Sequence, residues 1–156
     1  MELQKDFREF IELFLSHKVE FLLVGGYALA FHGAPRFTED IDFLVRITPE
    51  NAERIEAVLA DFGFQSTGIT KQDFLEPEQV IQLGRPPHRI DLLTSISGVS
   101  WDEAWKARQE VQFGGHTVDV IGREHLIQNK RASGRIQDLA DVARLERVPR
   151  SQPKQV

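Results

Sequence analysis

Two adjacent glycines, followed by a strand that carries two aspartates, constrain this chain more than any other feature. Gly25 and Gly26 end an apolar run, and Asp40 and Asp42 belong to the segment 38–45, whose pattern is typical of a buried strand. Side chains at positions i and i+2 of a strand lie on the same face, so the two carboxylates should stand side by side. Grouped oxygen ligands suit Mg²⁺, which usually fills its other positions with water and substrate phosphates. The pattern therefore predicts phosphate chemistry.

The composition is that of an ordinary globular protein. Of the 156 residues, 41% are hydrophobic and 28% are charged, and there is no cysteine. One domain is the simplest organisation at this length, and cysteine-based disulfides and zinc sites are excluded. The net charge of −5 argues against a broad electrostatic grip on nucleic acid. No apolar run approaches the roughly 20 residues that span a bilayer, and the first residues lack a signal-peptide pattern, so we expect a cytoplasmic protein without a membrane partner.

Hydrophobic periodicity and turn residues predict alternating helices and strands. Apolar residues at helical spacing, from Leu3 onward, predict a first helix that ends near His17, and capping signals at Thr48 and Ser100 predict two others. Glycines predict the turns and helix ends. The predicted strands are 21–24, 41–45, 80–83, 89–94, 111–113 and 117–120, and the remaining predicted helices are 27–32, 123–133 and 135–145. The turn between the third and fourth strands is predicted at 84–88, and a frayed tail from Pro149.

The glycine pair also has a chemical interpretation. A strand that ends in Gly25 and Gly26 and opens into a helix brings backbone N–H groups and the positive end of a helix dipole to one point, which favours phosphate binding. Glycine allows close approach of a ligand and a positive φ angle. Most such turns are nevertheless only turns, and an Asp-x-Asp pair on a strand is often structural, so neither feature alone defines a site.

Asp91 is a third carboxylate, embedded in an apolar strand. Burial of an unpaired carboxylate is costly, so Asp91 requires a partner, either a metal ion or an arginine such as Arg89 or Arg36. If its strand neighbours that of Asp40 and Asp42, three carboxylates surround a space for two divalent ions. Such a pair of ions can hold both the attacking and the leaving oxygen of an in-line displacement. If Asp91 faces away from the pair, the domain would only bind nucleotide.

At this point the chain resembles a known superfamily, the DNA polymerase β-type nucleotidyltransferases, and within it the bacterial AbiEii toxin-like nucleotidyltransferases. The resemblance rests on Leu23-Val24-Gly25-Gly26-Tyr27-Ala28, on Arg36-x-Thr38-x-Asp40-Ile41-Asp42 and on Ile90-Asp91-Leu92. It continues near the far end with Lys130, Arg135 and Asp138-Leu139-x-Asp141. The resemblance implies an α/β (α+β) fold, with a mixed, mostly antiparallel sheet flanked by helices. A nucleotidyltransferase domain would then span residues 1–148, with a disordered tail over 149–156.

The resemblance also implies roles for eight residues. The residues implied as catalytic and metal-binding are Asp40, Asp42 and Asp91, and those implied to bind the nucleotide are Gly25, Gly26, Arg36, Thr38 and Lys130. Without the resemblance, Lys130 would be interpreted as a solvated helix lysine, and Thr38 as a residue that orients the turn. Asp138 and Asp141 share one helical face and are expected to pair with Lys130 or Arg135.

These expectations define a function and an alternative. The first is a nucleotidyltransferase, dependent on Mg²⁺ or Mn²⁺, that moves a nucleoside monophosphate from an NTP to an acceptor hydroxyl on RNA, such as a tRNA 3′ end, on a protein or on a small molecule. A toxin–antitoxin-like role with a cognate partner follows from the same resemblance. The alternative is a non-catalytic nucleotide-binding or partner-binding module. The presence of Asp40, Asp42 and Asp91 together favours the enzyme.

Overall fold

The computed structural model describes residues 4–64, 67–85 and 87–150. Its helices are α1 (Lys5–Ser16), α2 (Gly25–Phe31), α3 (Pro49–Phe62), α4 (Trp101–Lys106), α5 (Arg123–Ser133) and α6 (Ile136–Glu146). Its strands are β1 (Phe21–Val24), β2 (Ile41–Val45), β3 (Val80–Leu83), β4 (Ile90–Leu93), β5 (Gln109–Phe113) and β6 (His116–Val120), and a 3₁₀ helix spans Lys71–Phe74. None of the helices in these described ranges is long and apolar enough to cross a membrane.

The six strands form one sheet in the order β3-β4-β2-β1-β6-β5. The pairs β3–β4, β1–β2 and β5–β6 are antiparallel, whereas β2–β4 and β1–β6 are parallel. The predicted mixed, mostly antiparallel sheet flanked by helices is therefore confirmed. Because β2 and β4 run side by side in the same direction, the residues that begin both strands lie at one end of the sheet.

Local sequence signals account for most element boundaries. The Thr48 hydroxyl accepts a hydrogen bond from the Asn51 backbone at the start of α3, and Gly63 ends that helix in the left-handed conformation, with φ of 98°. Ser100 and Glu103 form a reciprocal capping box at the start of α4. Each of these terminal signals was expected from the sequence.

Two boundaries and one additional element are the main departures from expectation. Helix α2 begins at Gly25 rather than Tyr27, so both glycines form its first turn. Strand β5 begins at Gln109 because its partner β6 pairs with it along five residues. The 3₁₀ helix was not predicted, since its four residues lack apolar periodicity. Leu3, residue 86 of the predicted hairpin turn and residues 151–156 of the predicted tail lie outside the described residues.

A cluster of phenylalanines joins α1 to the sheet. Phe43 of β2 is fully buried, and its ring centroid lies 6.1 Å from that of Phe10, 5.5 Å from Phe14 and 5.4 Å from Phe21. Aromatic pairs at these separations add to the stabilisation from burial of apolar area. Asp42 precedes Phe43 and, by strand alternation, points to the opposite side, so the cluster anchors the strand that carries the carboxylates.

Truncation of this anchor should destabilise the fold. We expect Phe43→Ala to lower the free energy of unfolding by about 3–5 kcal/mol, because it opens a cavity and removes three ring contacts. Phe37→Ala is the matched control, since Phe37 is 82% exposed and its truncation should change stability by less than about 0.5 kcal/mol. Urea unfolding followed by circular dichroism checks both values. Equal losses in the two variants would contradict the assignment of Phe43 to the core.

Candidate active site

The turn between β1 and α2 lies directly against a carboxylate. Gly25 has φ of +70°, and a Cβ atom there would lie 2.1 Å from Oδ2 of Asp42. A Cβ atom on Gly26 would lie 2.9 Å from the Cβ atom of Thr38. Glycine is therefore required at both positions by the protein's own packing, apart from any need to admit a ligand. The Thr38 hydroxyl donates to the Asp40 carbonyl oxygen at 3.1 Å, which orients the chain that enters β2.

The parallel pairing of β2 and β4 brings the three predicted carboxylates together. Asp42 is aligned with Asp91 across the pair, and Asp40 immediately precedes β2. Burial, followed by the charge of Asp91 and a hydrogen bond with it, raises the pKa of Asp42 to about 7. Asp91 is 7% exposed and faces the same cleft as the other two. The arrangement in which Asp91 points away from the pair is thus not the one observed.

Arg89 is the partner that Asp91 requires. Its Nε donates to Oδ1 of Asp91 at 2.7 Å, and its Nη2 donates to Oδ2 of Asp91 at 3.1 Å. The same Nη2 also donates to Oδ2 of Asp40 at 2.8 Å. Of the two arginines that the sequence offers, Arg36 pairs instead with Asp141 of α6. The single guanidinium of Arg89 therefore compensates two of the three carboxylates.

A second charged group lies where α5 meets α6. Lys130 is 5% exposed, and its Nζ lies 2.9 Å from Oδ2 of Asp141 and 3.5 Å from Oδ1 of Asp138. Arg36 donates to Asp141 through Nε at 3.0 Å, and Arg135 donates to Asp138 through Nε at 2.8 Å. Lys130 is therefore a buried, paired cation and not a solvated helix lysine. The expected pairing of Asp138 and Asp141 with Lys130 and Arg135 is present.

These groups open onto one cleft with a volume of about 700 Å³. All eight site residues predicted from the sequence line it, namely Gly25, Gly26, Arg36, Thr38, Asp40, Asp42, Asp91 and Lys130. Sequence reasoning missed several polar lining residues, namely Gln82, Ser95, Ser97, Asn129 and Ser133. Ser133 lies three residues after Lys130 on the same helix face, which is the one signal that could have identified it.

A second hollow of about 480 Å³ lies next to this cleft, and Thr38 lines both. Its wall includes the exposed ring of Phe37, the edge of Tyr27 and the cation of Arg8. The hollow begins where the carboxylate segment enters β2. A molecule bound there would lie beside the carboxylate cluster.

The donor set of the cleft fits a divalent cation. Three carboxylates supply hard oxygen ligands. Burial first, and then the neighbouring charges of Asp91 and Asp40, raise the pKa of Asp42, although Arg89 opposes the shift. Within residues 4–64, 67–85 and 87–150, however, no group of three or more His, Cys, Asp or Glu side chains is arranged so that it could hold a metal ion. In this arrangement Arg89 binds oxygens of Asp40 and Asp91.

Sequence comparison identifies the family. The sequence profile described as nucleotidyl transferase AbiEii toxin, type IV TA system, matches residues 13–114, so the chain belongs to this family of nucleotidyltransferases. The matched segment contains the glycine turn and all three carboxylates, whereas α5 and α6 lie beyond it. No sequence among the curated proteins compared matches the chain.

Solved structures extend the similarity to nearly the whole chain. A putative nucleotidyltransferase from Thermotoga maritima, TM1012, is 19% identical over 89% of each chain, with a TM-score of 0.61. The lincomycin-bound lincosamide antibiotic adenylyltransferase LnuA is 13% identical over 94% of this chain and 98% of its own, with a TM-score of 0.56. The antibiotic-resistance factor ANT(2'')-Ia is 12% identical over 90% and 80%, with a TM-score of 0.58. These structures share the fold of this chain, whereas its membership of a nucleotidyltransferase family rests on the sequence profile.

The close approach of the glycine turn to Asp42 makes a stability prediction. We expect Gly25→Ala to cost about 1–2 kcal/mol for the positive φ angle and a further ~1–3 kcal/mol for the collision with the carboxylate. Gly63→Ala is the matched control, because Gly63 also has a positive φ, but its added Cβ would meet nothing within 4 Å. Urea unfolding of both variants separates the two terms. Combination with Asp42→Ala should recover part of the Gly25→Ala loss, and strictly additive losses would contradict the collision.

The buried charges around Asp141 make a second prediction. Burial tends to raise the pKa of Asp141, but hydrogen bonds from Arg36 and Lys130 outweigh it and hold the pKa below its ordinary value. We expect Asp141→Asn to destabilise the protein by about 3–5 kcal/mol at pH 7, because Lys130 loses a charged partner in a buried site. Asp61→Asn is the control, since Asp61 pairs with His17 at the surface and should cost at most about 1 kcal/mol.

The lowered pKa of Asp141 also determines how the stability of the protein depends on pH. The stabilisation from the charged form of Asp141 is present above the unfolded-state pKa of about 3.9 and is lost as the pH falls through the lower folded-state pKa. The stability difference between wild type and Asp141→Asn should therefore stay constant above about pH 5 and shrink below about pH 4. Chemical denaturation across this range tests it, and a difference that grows on acidification would contradict the assigned charge state.

Proposed function

We propose that this protein transfers a nucleoside monophosphate from an NTP to an acceptor hydroxyl and that the transfer depends on Mg²⁺ or Mn²⁺. The observation that carries the proposal is the convergence of Asp40, Asp42 and Asp91 beside the Gly25–Gly26 turn in one cleft. Membership of a nucleotidyltransferase family supports the reaction class. The reaction would take place in the cytoplasm, where NTPs are available.

The bond changes of the reaction define what the cleft must do. The acceptor oxygen forms a bond to the α-phosphorus, the bond from that phosphorus to the bridging oxygen breaks, and pyrophosphate leaves. Asp40, Asp42 and Asp91 would hold the divalent ions, which neutralise charge on the phosphates when bound. Asp91, on the neighbouring strand, would in addition help to take the proton of the attacking hydroxyl. Catalysis would then consist mostly of positioning and charge stabilisation.

The remaining predicted site residues would hold the triphosphate. The backbone N–H groups of Gly25 and Gly26 lie at the start of α2, a location that favours phosphate oxygens. Thr38 would keep this turn in place through its contact with Gly26. Arg36 and Lys130 line the cleft, but both are paired with Asp141, so they would reach phosphates only with donors that these pairs leave over.

The acceptor and the biological role are proposed only as general classes. The description of the family as a type IV toxin–antitoxin system supports a toxin-like role with a cognate partner protein. The similar folds named for lincosamide adenylyltransfer and for a complex with adenylyl-2''-tobramycin support a small-molecule hydroxyl as one class of acceptor. RNA, including a tRNA 3′ end, and a protein remain the other two classes. The hollow next to Thr38 is the proposed route for the acceptor.

A non-catalytic nucleotide-binding or partner-binding module is the second candidate. One observation favours it, namely that Arg89 binds two of the three carboxylates that a metal would need. A module of this kind would bind NTP without turnover. The two candidates therefore predict the same nucleotide binding and differ only in transfer.

Labelled transfer tests the proposal. The purified protein is incubated with each α-³²P-labelled NTP, with Mg²⁺ or Mn²⁺, and with total RNA, cell extract or a panel of hydroxylated small molecules. We expect label to enter one acceptor class, and Asp42→Asn and Asp91→Asn to reduce the rate by at least ~10²-fold because charge stabilisation is lost. Asp61→Asn, a surface carboxylate, is the matched control and should leave the rate unchanged.

Calorimetry of NTP binding complements the transfer assay, because only the two results together separate the candidates. Binding without transfer to any acceptor would favour the module. Absence of both binding and transfer would contradict the enzyme and the nucleotide-binding module, and would leave only a module that binds a partner protein.

A further inference from the structure

Arg89 is a cleft residue to which the proposed reaction gives no role. Its guanidinium donates two hydrogen bonds to Asp91, at 2.7 and 3.1 Å, and one to Asp40, at 2.8 Å. A single side chain thus binds carboxylates from two neighbouring strands. Charge-assisted and partly bidentate pairs of this kind are among the stronger hydrogen bonds in proteins.

The backbone fixes this position. The Arg89 carbonyl oxygen accepts a hydrogen bond from the Ile41 backbone at 3.0 Å, and Ile41 is aligned with Ile90 in the parallel pair. Arg89 is therefore held next to Asp40 by the same register that aligns Asp42 with Asp91. The Arg89 side chain is 26% exposed and faces the open cleft, so its guanidinium can leave the carboxylates without passing through the core.

The oxygens that Arg89 binds are those that a divalent ion would use. Both oxygens of Asp91 and Oδ2 of Asp40 accept from it. A divalent ion held by Asp40 and Asp91 would also place a second cation beside the guanidinium. The two positive groups repel each other, and both are attracted to the same carboxylates. Occupation by one therefore disfavours occupation by the other.

We infer that Arg89 is an internal competitor for the metal site: it occupies Asp40 and Asp91 until a divalent ion displaces it. The inference rests on the proposed function in taking these carboxylates as the metal ligands. The bound guanidinium lowers the fraction of molecules that can bind metal. The apparent affinity for the metal is the intrinsic affinity multiplied by that fraction. The nucleotide's triphosphate supplies the displaced guanidinium with a new anionic partner, so metal and nucleotide bind together more strongly than either binds alone.

The binding of Mn²⁺ alone, without nucleotide, tests the inference. Free Mn²⁺ is measured by electron paramagnetic resonance, at constant ionic strength, with the full chain and with Arg89→Gln. We expect Arg89→Gln to bind Mn²⁺ about tenfold more tightly, as for a competitor that occupies the site in about nine molecules of ten. Arg89→Lys should fall between wild type and Arg89→Gln, because lysine keeps the charge but cannot bridge two carboxylates in the same way.

Arg46→Gln is the matched control for loss of one positive charge. Arg46 pairs with Glu20 and follows the opposite end of β2 from the carboxylates, so its variant should bind Mn²⁺ as wild type does. A thermal melt verifies that each variant folds. If Arg89→Gln does not fold, the comparison of Arg89→Lys with wild type decides.

The outcomes distinguish this inference from the proposed function. Equal or weaker Mn²⁺ binding by Arg89→Gln would overturn the inference and leave Arg89 as a residue that orients Asp91, with the metal site intact. No Mn²⁺ binding by any variant would overturn the metal site as well. Tighter binding that also persists in Arg89→Gln combined with Asp42→Asn and Asp91→Asn would place the ion elsewhere, and would again overturn the inference.

Discussion

The concentration of negative charge at one end of the sheet is the constraint on which the rest of the structure depends. The register of β2 and β4 places the Asp42 and Asp91 carboxylates side by side, where burial and mutual repulsion both oppose ionisation. Arg89 offsets part of this cost directly. On the far side of the cleft, the same problem is solved with Lys130 and Arg36, which hold Asp141 charged. Two groups of acidic residues thus lie at or next to one cleft, and the group beside Arg89 is compensated only in part.

The backbone makes this concentration of charge feasible. Parallel neighbours require a crossover, and the segment from α3 through β3 supplies it between β2 and β4. Phe43 anchors the other face of β2 in the aromatic cluster, so the strand cannot slip by one residue without moving Asp42 into the core. Gly25 leaves room for the Asp42 carboxylate. Apolar packing on one face therefore sets the geometry of the polar face.

The sequence predicted those features that depend on local pattern. Strand periodicity, helix caps and the Gly25–Gly26 turn are short-range signals, and the expected site residues all line one cleft. The sequence left open whether Arg89 or Arg36 pairs with Asp91, although Arg89 precedes Asp91 by only two residues. It could not show that Arg89 also binds Asp40, because that contact depends on the pairing of β2 with β4 and joins residues 49 positions apart. It could not show that Lys130 is buried either, since its burial results from the packing of α6 against α5. Both features follow from contacts between distant segments of the chain, which a local pattern does not contain.

The net charge of the cleft relates its two proposed states, one with Arg89 bound to the carboxylates and one with metal bound there. When all three carboxylates are ionised and Arg89 is bound, their remaining charge is about that which one divalent ion would balance, whereas two ions would leave the cleft positive. The excess would have to be balanced by the substrate, whose triphosphate carries several negative charges. A cleft built in this way favours assembly of metal and nucleotide as a unit, because each removes an electrostatic obstacle to the other. Whether the protein is a binding module or an enzyme then depends on whether Arg89 releases Asp91 when metal and nucleotide bind.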